Sequence, residues 1–210
     1  MTADLGSTGE LPETLTWEEF LALPDAIAQC VEGLDRGRVI WARTGPRRNQ
    51  RAAVRLRNAL ESAWSVVRAE RNECFEADVE QPIFFTAKDD FLKPDFILYS
   101  CLPDQDQDVP ASAVVIAGEI LSPSNSVQDM NRKTTRYAEA GIPWYWEVDA
   151  GEQSVTIRIN ALLPAPERRP VGVTPLRAFH YEPVAQWVGD GDFAYHLPFP
   201  FTIPAESLAY

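Results

Sequence analysis

The chain has 210 residues, a hydrophobic fraction of 45% and six Trp, which suits a single domain with a substantial core. It contains no run of about 18 apolar residues, so we expect no membrane span. Residues 1–10 lack the basic start and apolar stretch of a signal peptide. We expect residues 1–12 to form a disordered tail and residues 13–210 to form one domain.

Cysteine usage and net charge restrict the class of protein further. The three cysteines are odd in number and widely spaced, which argues against a disulfide framework and against a cysteine-type zinc site. This pattern favours a reducing cytoplasm. The net charge of −12, taken alone, argues against nucleic acid as a partner.

The basic residues are distributed unevenly. Eight of the nineteen lie within residues 36–57, a segment that contains no acidic residue. Arg47, Arg48, Arg51 and Arg55 form an arginine stripe roughly opposite the apolar face of a predicted helix. Like charges four residues apart destabilise a helix, so a stripe without local acids fits a surface that faces phosphates. A solvated surface, or pairing with acidic parts of the same chain, explains the stripe equally well.

Hydrophobic periodicity and capping signals predict alternating helices and strands. In chain order, the predicted elements are a helix from Thr16 to near Pro24, a strand over 37–42, a helix over 46–70, strands over 74–79, 83–86, 94–99 and 113–121, a helix over 126–141, and strands over 144–148 and 155–159. Short candidate strands at 177–181 and 193–197 are assigned to an edge elaboration of the same domain. This order predicts a mixed α/β fold with one central sheet.

Two acids lie within apolar segments that are typical of buried strands. Asp95 lies in segment 94–99 and Glu119 in segment 113–121. An ionised carboxylate there is costly unless a metal, a proton or a cation compensates it. Two carboxylates can hold Mg²⁺ or Mn²⁺, which can polarise a phosphodiester and lower the pKa of an attacking water. Lys133, on the next helix, can orient that water or offset charge on the phosphate.

Each of these residues also has a purely structural explanation. Asp95 follows a proline and fits the first residue of a strand at the solvent edge. Glu119 has the weakest alternative, because its apolar neighbours leave no easily solvated position. Lys133 follows Asp129 by four residues, which is the spacing of an ordinary ion pair on a helix surface.

The residues around these positions resemble a known family. The similar segments are Phe91-Leu-Lys-Pro-Asp95-Phe-Ile-Leu98, Val114-Val-Ile-Ala-Gly-Glu119-Ile-Leu-Ser-Pro-Ser124, and Asp129 to Asp149, which includes Lys133, Tyr137 and Gly141-Ile-Pro-Trp-Tyr-Trp146. Together they look like the Uma2 family (DUF820) of "putative restriction endonucleases", within the PD-(D/E)XK nuclease superfamily. The resemblance extends from Thr16 to about Leu208 and is specific between Pro94 and Asp149.

The resemblance implies a restriction-endonuclease-like core, in which a mixed central sheet is flanked by helices. It also implies that Asp95 and Glu119 are ligands of Mg²⁺ or Mn²⁺. The lysine of the usual (D/E)-x-K motif would stand at Leu121, so its role falls to Lys133 on the following helix. Glu32 is similar to an early glutamate of the family and completes the acidic cluster.

The function implied by this resemblance is metal-dependent hydrolysis of DNA by an endonuclease, with the arginine stripe approaching the backbone. A homodimer is expected, because cutting both strands of a duplex favours two-fold symmetry. Asn49 and Gly37-Arg38 differ from the usual family residues, which affects expected substrate contacts near the long helix. The alternative is a catalytically silent nucleic-acid-binding or protein-interaction module on a nuclease-like scaffold. A glycosidase is a weaker third hypothesis, since no sugar cleft is indicated.

Overall fold

The computed structural model of the chain describes residues 12–42, 46–86, 88–104, 107–123, 125–151, 154–164, 178–189 and 191–208. The predicted N-terminal tail lies outside these residues, apart from Pro12. The helices α1 to α5 span Trp17–Leu21, Asp25–Ala28, Arg47–Val67, Val127–Glu139 and Ala205–Leu208. None of these described helices is both long enough and apolar enough to cross a membrane.

The described strands are numbered β1 to β13 in chain order. They span Val31–Asp35, Arg38–Trp41, Phe75–Val79, Ile83–Phe84, Phe91–Leu92, Phe96–Ser100, Val109–Pro110, Val114–Leu121, Trp144–Ala150, Val155–Pro164, Phe179–Val188, Phe193–Tyr195 and Phe201–Ile203. Short 3₁₀ turns lie at Arg68–Glu70 and Ala111–Ala113. These elements confirm the mixed α/β class.

A six-stranded mixed sheet, in the order β11-β10-β9-β8-β6-β3, forms the centre of the molecule. Strands β8 and β9 are parallel, and α4 is the crossover helix that such a pair requires. The other pairs of this sheet are antiparallel. Alternate side chains of β8 face opposite ways, so Ile116 and Ile120 pack in the core beneath α3, whereas Ala117 packs in the core that contains Tyr137 of α4.

The six-stranded sheet confirms the predicted central mixed sheet, but the described residues also contain two further sheets that were not predicted. A second sheet has the order β2-β1-β5-β4-β7, and β12 pairs with β13 in a two-stranded sheet. Strand β1 was not predicted from the sequence, because Glu32, Gly33 and Asp35 interrupt its apolar pattern. Gly33 is needed there, since a Cβ would lie 2.4 Å from the carbonyl oxygen of Phe91.

Strand β11 forms an edge of the central sheet, as an edge elaboration implies, but the residues after it belong to the main core, which corrects the assignment for them. Phe193, Phe199 and Phe201 are buried with the side chains of α3 and the central sheet. Trp64 of α3 packs against Phe199, with ring centroids 5.2 Å apart. Short aromatic strands therefore close the α3 side of the sheet.

Cys74 and Cys101 form a disulfide, contrary to the expectation from the number and spacing of the cysteines. Cys74 precedes β3 and Cys101 follows β6, and these strands are antiparallel neighbours. Their pairing brings the two Cα atoms within 5.3 Å, although the residues are 27 apart in sequence. Cys30 is free and exposed. The disulfide removes the argument from cysteine usage for a reducing cytoplasm, so the cytoplasmic location stays a prediction.

The two long helices follow their sequence signals. The backbone N–H of Asp129 donates to the Ser126 side chain at 3.0 Å, which caps α4. Gly141, with φ of +78°, follows the helix end as the capping pattern predicts. On α3, Arg47 and Arg51 of the arginine stripe are exposed, whereas its other two members are half-buried.

Gly118 fixes how closely β8 approaches β6. It pairs with Phe96, whose ring is fully buried, and a Cβ at position 118 would lie 2.1 Å from its Cζ atom. We expect Gly118→Ala to lower the free energy of unfolding by about 1–3 kcal/mol, because the ring has no room to move. Urea unfolding measures this change.

A double-mutant cycle with Phe96→Leu provides the control for this prediction. The combined cost should be smaller than the sum of the single costs, because the shorter side chain relieves the overlap. A Gly118→Ala protein as stable as the wild type would contradict the packing described here.

Candidate functional site

A cleft of about 700 Å³ is lined by residues of both large sheets, of α3 and of α4. Glu32, Asp95, Glu119 and Lys133, the residues predicted from sequence to act together, all line it. They come from β1, from the residue before β6, from β8 and from the second turn of α4. The fold therefore brings together residues that are up to 101 positions apart.

Glu119 is the most deeply buried acid of the cleft, with 2% of its surface exposed. Its Oε2 atom accepts a hydrogen bond from Lys133 Nζ at 2.6 Å, and its Oε1 atom accepts one from the Tyr137 hydroxyl at 2.6 Å. Lys133 and Tyr137 are four residues apart on α4, so they lie on the same face of the helix. Both carboxylate oxygens are thus satisfied, as a buried acid requires.

Lys133 points into the cleft and is also 2% exposed. It pairs with Glu119 and with Glu32 of β1. The alternative of a surface pair with Asp129 is wrong, because Lys133 is buried against these two acids, while the Asp129 carboxylate accepts hydrogen bonds from Arg132 and from the Ser126 hydroxyl. Burial lowers the pKa of Lys133, but Glu119 and Glu32 outweigh it and raise the pKa above its ordinary value. Lys133 is therefore a charged counter-ion at neutral pH.

Asp95 is half-buried, and one of its two carboxylate oxygens is fixed by a hydrogen bond. Its Oδ2 atom accepts a hydrogen bond from the Ile120 backbone N–H at 2.6 Å. Burial raises the pKa of Asp95 to about 6, although this bond and Lys133 act in the opposite direction. Burial also raises the pKa of Glu119 above its ordinary 4.5, and the charges of Asp95 and Glu32 contribute to that rise.

The donor set suits a hard divalent cation. When ionised, the carboxylates of Glu32, Asp95 and Glu119 carry three negative charges against one positive charge on Lys133. Among the described residues, no three His, Cys, Asp or Glu side chains converge as a complete metal cage. Mg²⁺ usually binds through one or two carboxylates and keeps several waters. The Asp95–Glu119 pair, with its excess of negative charge, fits that mode.

Two residues that line the cleft and one buried behind it were missed or given no role from the sequence. Tyr137 appeared only as part of the quoted family segment, and its contact with Glu119 depends on the α4 crossover. Asn49, noted as a family departure, donates from Nδ2 to the Leu121 carbonyl at 3.2 Å. Lys93 stands in the apolar run before Asp95, and an unexpected lysine among buried residues is the signal that could have found it.

Lys93 differs from Lys133 in its partners. Its Nζ atom donates to the Val31 carbonyl at 3.0 Å. Burial lowers the pKa of Lys93 from its ordinary value, and the charge of Glu80 opposes that effect.

The arginine stripe lies beside the cleft rather than inside it. Arg47, Arg51 and Arg55 line a shallow groove of about 350 Å³ along α3. Gln50 lines both this groove and the cleft, so the two are neighbours at the N-terminal part of α3. The basic surface and the acidic site are therefore separate but adjacent.

Comparison with known proteins places the chain in a family. A model of the Uma2 family, described as "Putative restriction endonuclease", matches residues 17–171. The chain is similar to a crystal structure of "a putative nuclease belonging to DUF820" from Anabaena variabilis ATCC 29413, with a TM-score of 0.56 and 18% identity, covering 92% of this chain and 97% of that one. At this identity the likeness shows the fold alone. The search of curated proteins found no match. Because the family model covers well over half of its length, the chain belongs to the Uma2 family.

Proposed function

We propose that the chain is a metal-dependent endonuclease that hydrolyses phosphodiester bonds of DNA, with the cleft as its active site. The observation that carries this proposal is that Glu119 and Glu32 both pair with Lys133 in a cleft that Asp95 also lines. Such an arrangement leaves uncompensated negative charge in a partly enclosed space, which a divalent cation can offset. The family description supports nuclease activity.

Asp95 and Glu119 would hold Mg²⁺ or Mn²⁺, with Glu32 assisting. When bound, such an ion polarises the phosphodiester and lowers the pKa of the attacking water. The Ile120 N–H fixes Oδ2 of Asp95, and Oδ1 accepts no hydrogen bond from the described residues. Asp95 thus retains an oxygen for a ligand.

Lys133 and Tyr137 would act through Glu119. The two donors hold both oxygens of Glu119, so the carboxylate keeps one orientation in the cleft. An ammonium has three donors, and Lys133 uses two of them for Glu119 and Glu32. Its third donor is suited to orienting the attacking water or a phosphate oxygen.

The arginine stripe would contact the DNA backbone beside the cleft. Arg47 and Arg51 are exposed on α3 and lie next to the site through Gln50. Arginine is well suited to phosphate because its planar donors match two oxygens. We also propose a homodimer, since two sites related by two-fold symmetry can cut both strands of a duplex.

The wild-type protein should cleave DNA of mixed sequence when Mg²⁺ or Mn²⁺ is supplied, and EDTA should stop the reaction. Asp95→Ala/Glu119→Ala should reduce cleavage to the level seen without metal, because both proposed ligands are lost. Gel analysis of plasmid and linear substrates measures the activity.

Glu182→Ala/Glu206→Ala is the matched control for this test, since it removes two exposed carboxylates and should leave cleavage unchanged. Equal cleavage by the wild type and by Asp95→Ala/Glu119→Ala would show that the activity is not from this cleft. Metal-independent DNA binding without any cleavage would favour the silent module instead.

Divalent-ion binding should depend on pH in a defined direction. Because burial raises the pKa of Asp95 to about 6 from 3.8, its contribution to metal-free stability is present at low pH and lost as the pH rises through about 6. Mg²⁺ needs the ionised form, so its stabilising effect should grow between about pH 5 and pH 8. At 100 times the dissociation constant it would reach about 2.7 kcal/mol. Thermal unfolding with and without Mg²⁺ measures it.

Asp95→Asn provides the control, because it keeps an acceptor for the Ile120 N–H but cannot ionise. This variant should lose most of the Mg²⁺ effect and should be more stable than the wild type in metal-free buffer at high pH. An Mg²⁺ effect that is equal at both pH values, or equal in Asp95→Asn, would count against metal binding at this carboxylate.

A further inference from the structure

Lys93 is a second lysine of the cleft, and the proposed function leaves it without a role. It lies between β5 and β6, two residues before Asp95. Its backbone N–H donates to the Glu32 carbonyl at 2.8 Å, and its Nζ atom donates to the Val31 carbonyl at 3.0 Å. Both ends of the residue are therefore fixed against β1.

Three cationic side chains line the cleft, and their partners differ. Lys133 is paired with two buried acids. Arg132 pairs with Asp129 at 3.2 Å. Lys93 has no carboxylate within ion-pair distance among the described residues, and its hydrogen bond goes to an uncharged carbonyl. Glu80, which lines the same cleft, acts on it only through longer-range electrostatics.

Two aromatic rings lie close to the Lys93 ammonium. Its Nζ atom lies 5.5 Å from the ring centroid of Phe20 and 6.0 Å from that of Phe91. Of its three donors, one is used by Val31 and two remain for a ligand in the cleft. The ammonium is thus held in place with unused donors.

We propose that Lys93 binds a phosphate group of the nucleic-acid strand in the cleft, while Lys133 serves mainly as counter-ion of the buried acids. This inference rests on the proposed function and adds the residue that holds the substrate. The excess negative charge of the three acids repels a phosphate, so a fixed cation that lines the same cleft is needed to bring it close. An ammonium with open donors forms strong, charge-assisted hydrogen bonds to phosphate oxygens.

The chain offers a direct spectroscopic test, because Lys88, Lys93 and Lys133 are its only lysines. Selective ¹³C labelling of lysine therefore gives three ε-methylene signals in an NMR spectrum, assigned by Lys→Gln variants. We expect inorganic phosphate, and then a short 5′-phosphorylated DNA oligonucleotide in EDTA buffer, to shift the Lys93 signal. Lys88 pairs with Asp108 and stacks on Trp17, so its signal is an internal reference.

Binding measurements with matched variants complete the test. In EDTA buffer, Lys93→Gln should weaken oligonucleotide binding roughly tenfold, which corresponds to one charge-assisted hydrogen bond. Lys93→Arg should retain most of the affinity. Lys88→Gln removes the same charge from a residue whose ammonium also lies over aromatic rings, those of Trp17 and Phe84, and it should change the affinity by less than about twofold.

Two results would overturn the proposal: an unchanged Lys93 signal at saturating oligonucleotide, or equal losses of affinity in Lys93→Gln and Lys88→Gln. Both experiments exclude metal and cleavage, so they are independent of catalysis. A Lys93-dependent affinity in a protein that cuts no DNA would support this inference while the catalytic proposal fails. Cleavage by the wild type together with unchanged oligonucleotide binding in Lys93→Gln would support the catalytic proposal and overturn the inference about Lys93.

Discussion

The ion pairs of Lys133 join the parts of the molecule that form the cleft. This lysine lies on α4 and connects Glu119 of the central six-stranded sheet to Glu32 of the five-stranded sheet. Removing one partner of a buried ion pair typically costs about 3–5 kcal/mol, because a charge is left uncompensated. The acids and the lysine therefore require each other, and this contact links the six-stranded sheet to the five-stranded sheet at the cleft.

That arrangement compensates the acids only in part. One lysine faces three carboxylates, and this imbalance, together with burial, accounts for the raised pKa values of Asp95 and Glu119. A proton and a divalent cation are two ways to remove the remaining charge, and they compete for the same oxygens. The chain's net charge of −12 does not conflict with a nucleic-acid substrate, because the arginine stripe is basic locally.

Sequence reasoning succeeded where the decisive information was local. The apolar neighbours of Glu119 predicted its burial, and the cap at Ser126 predicted the start of the helix that carries Lys133. It failed where the information lay in pairing between distant segments. Strand β1, the disulfide and the second sheet all depend on which segments become neighbours, and no spacing in the chain specifies that. The orientation of Lys133 was ambiguous for the same reason, since Glu32 is far away in sequence.

The contacts of Lys133 also differ in the length of chain that each one closes. The bond to Glu119 closes a segment of 14 residues, whereas the bond to Glu32 closes one of 101. Loop-closure entropy grows with the logarithm of length, so the longer closure costs about 2 kcal/mol more. The backbone N–H of Lys93 donates to the Glu32 carbonyl, and β1 pairs with β5, so backbone contacts that close a shorter segment of 61 residues (93 − 32) also hold Glu32 in place. The acid most distant in sequence is therefore positioned by backbone pairing, and the nearer acid by the helix that follows it.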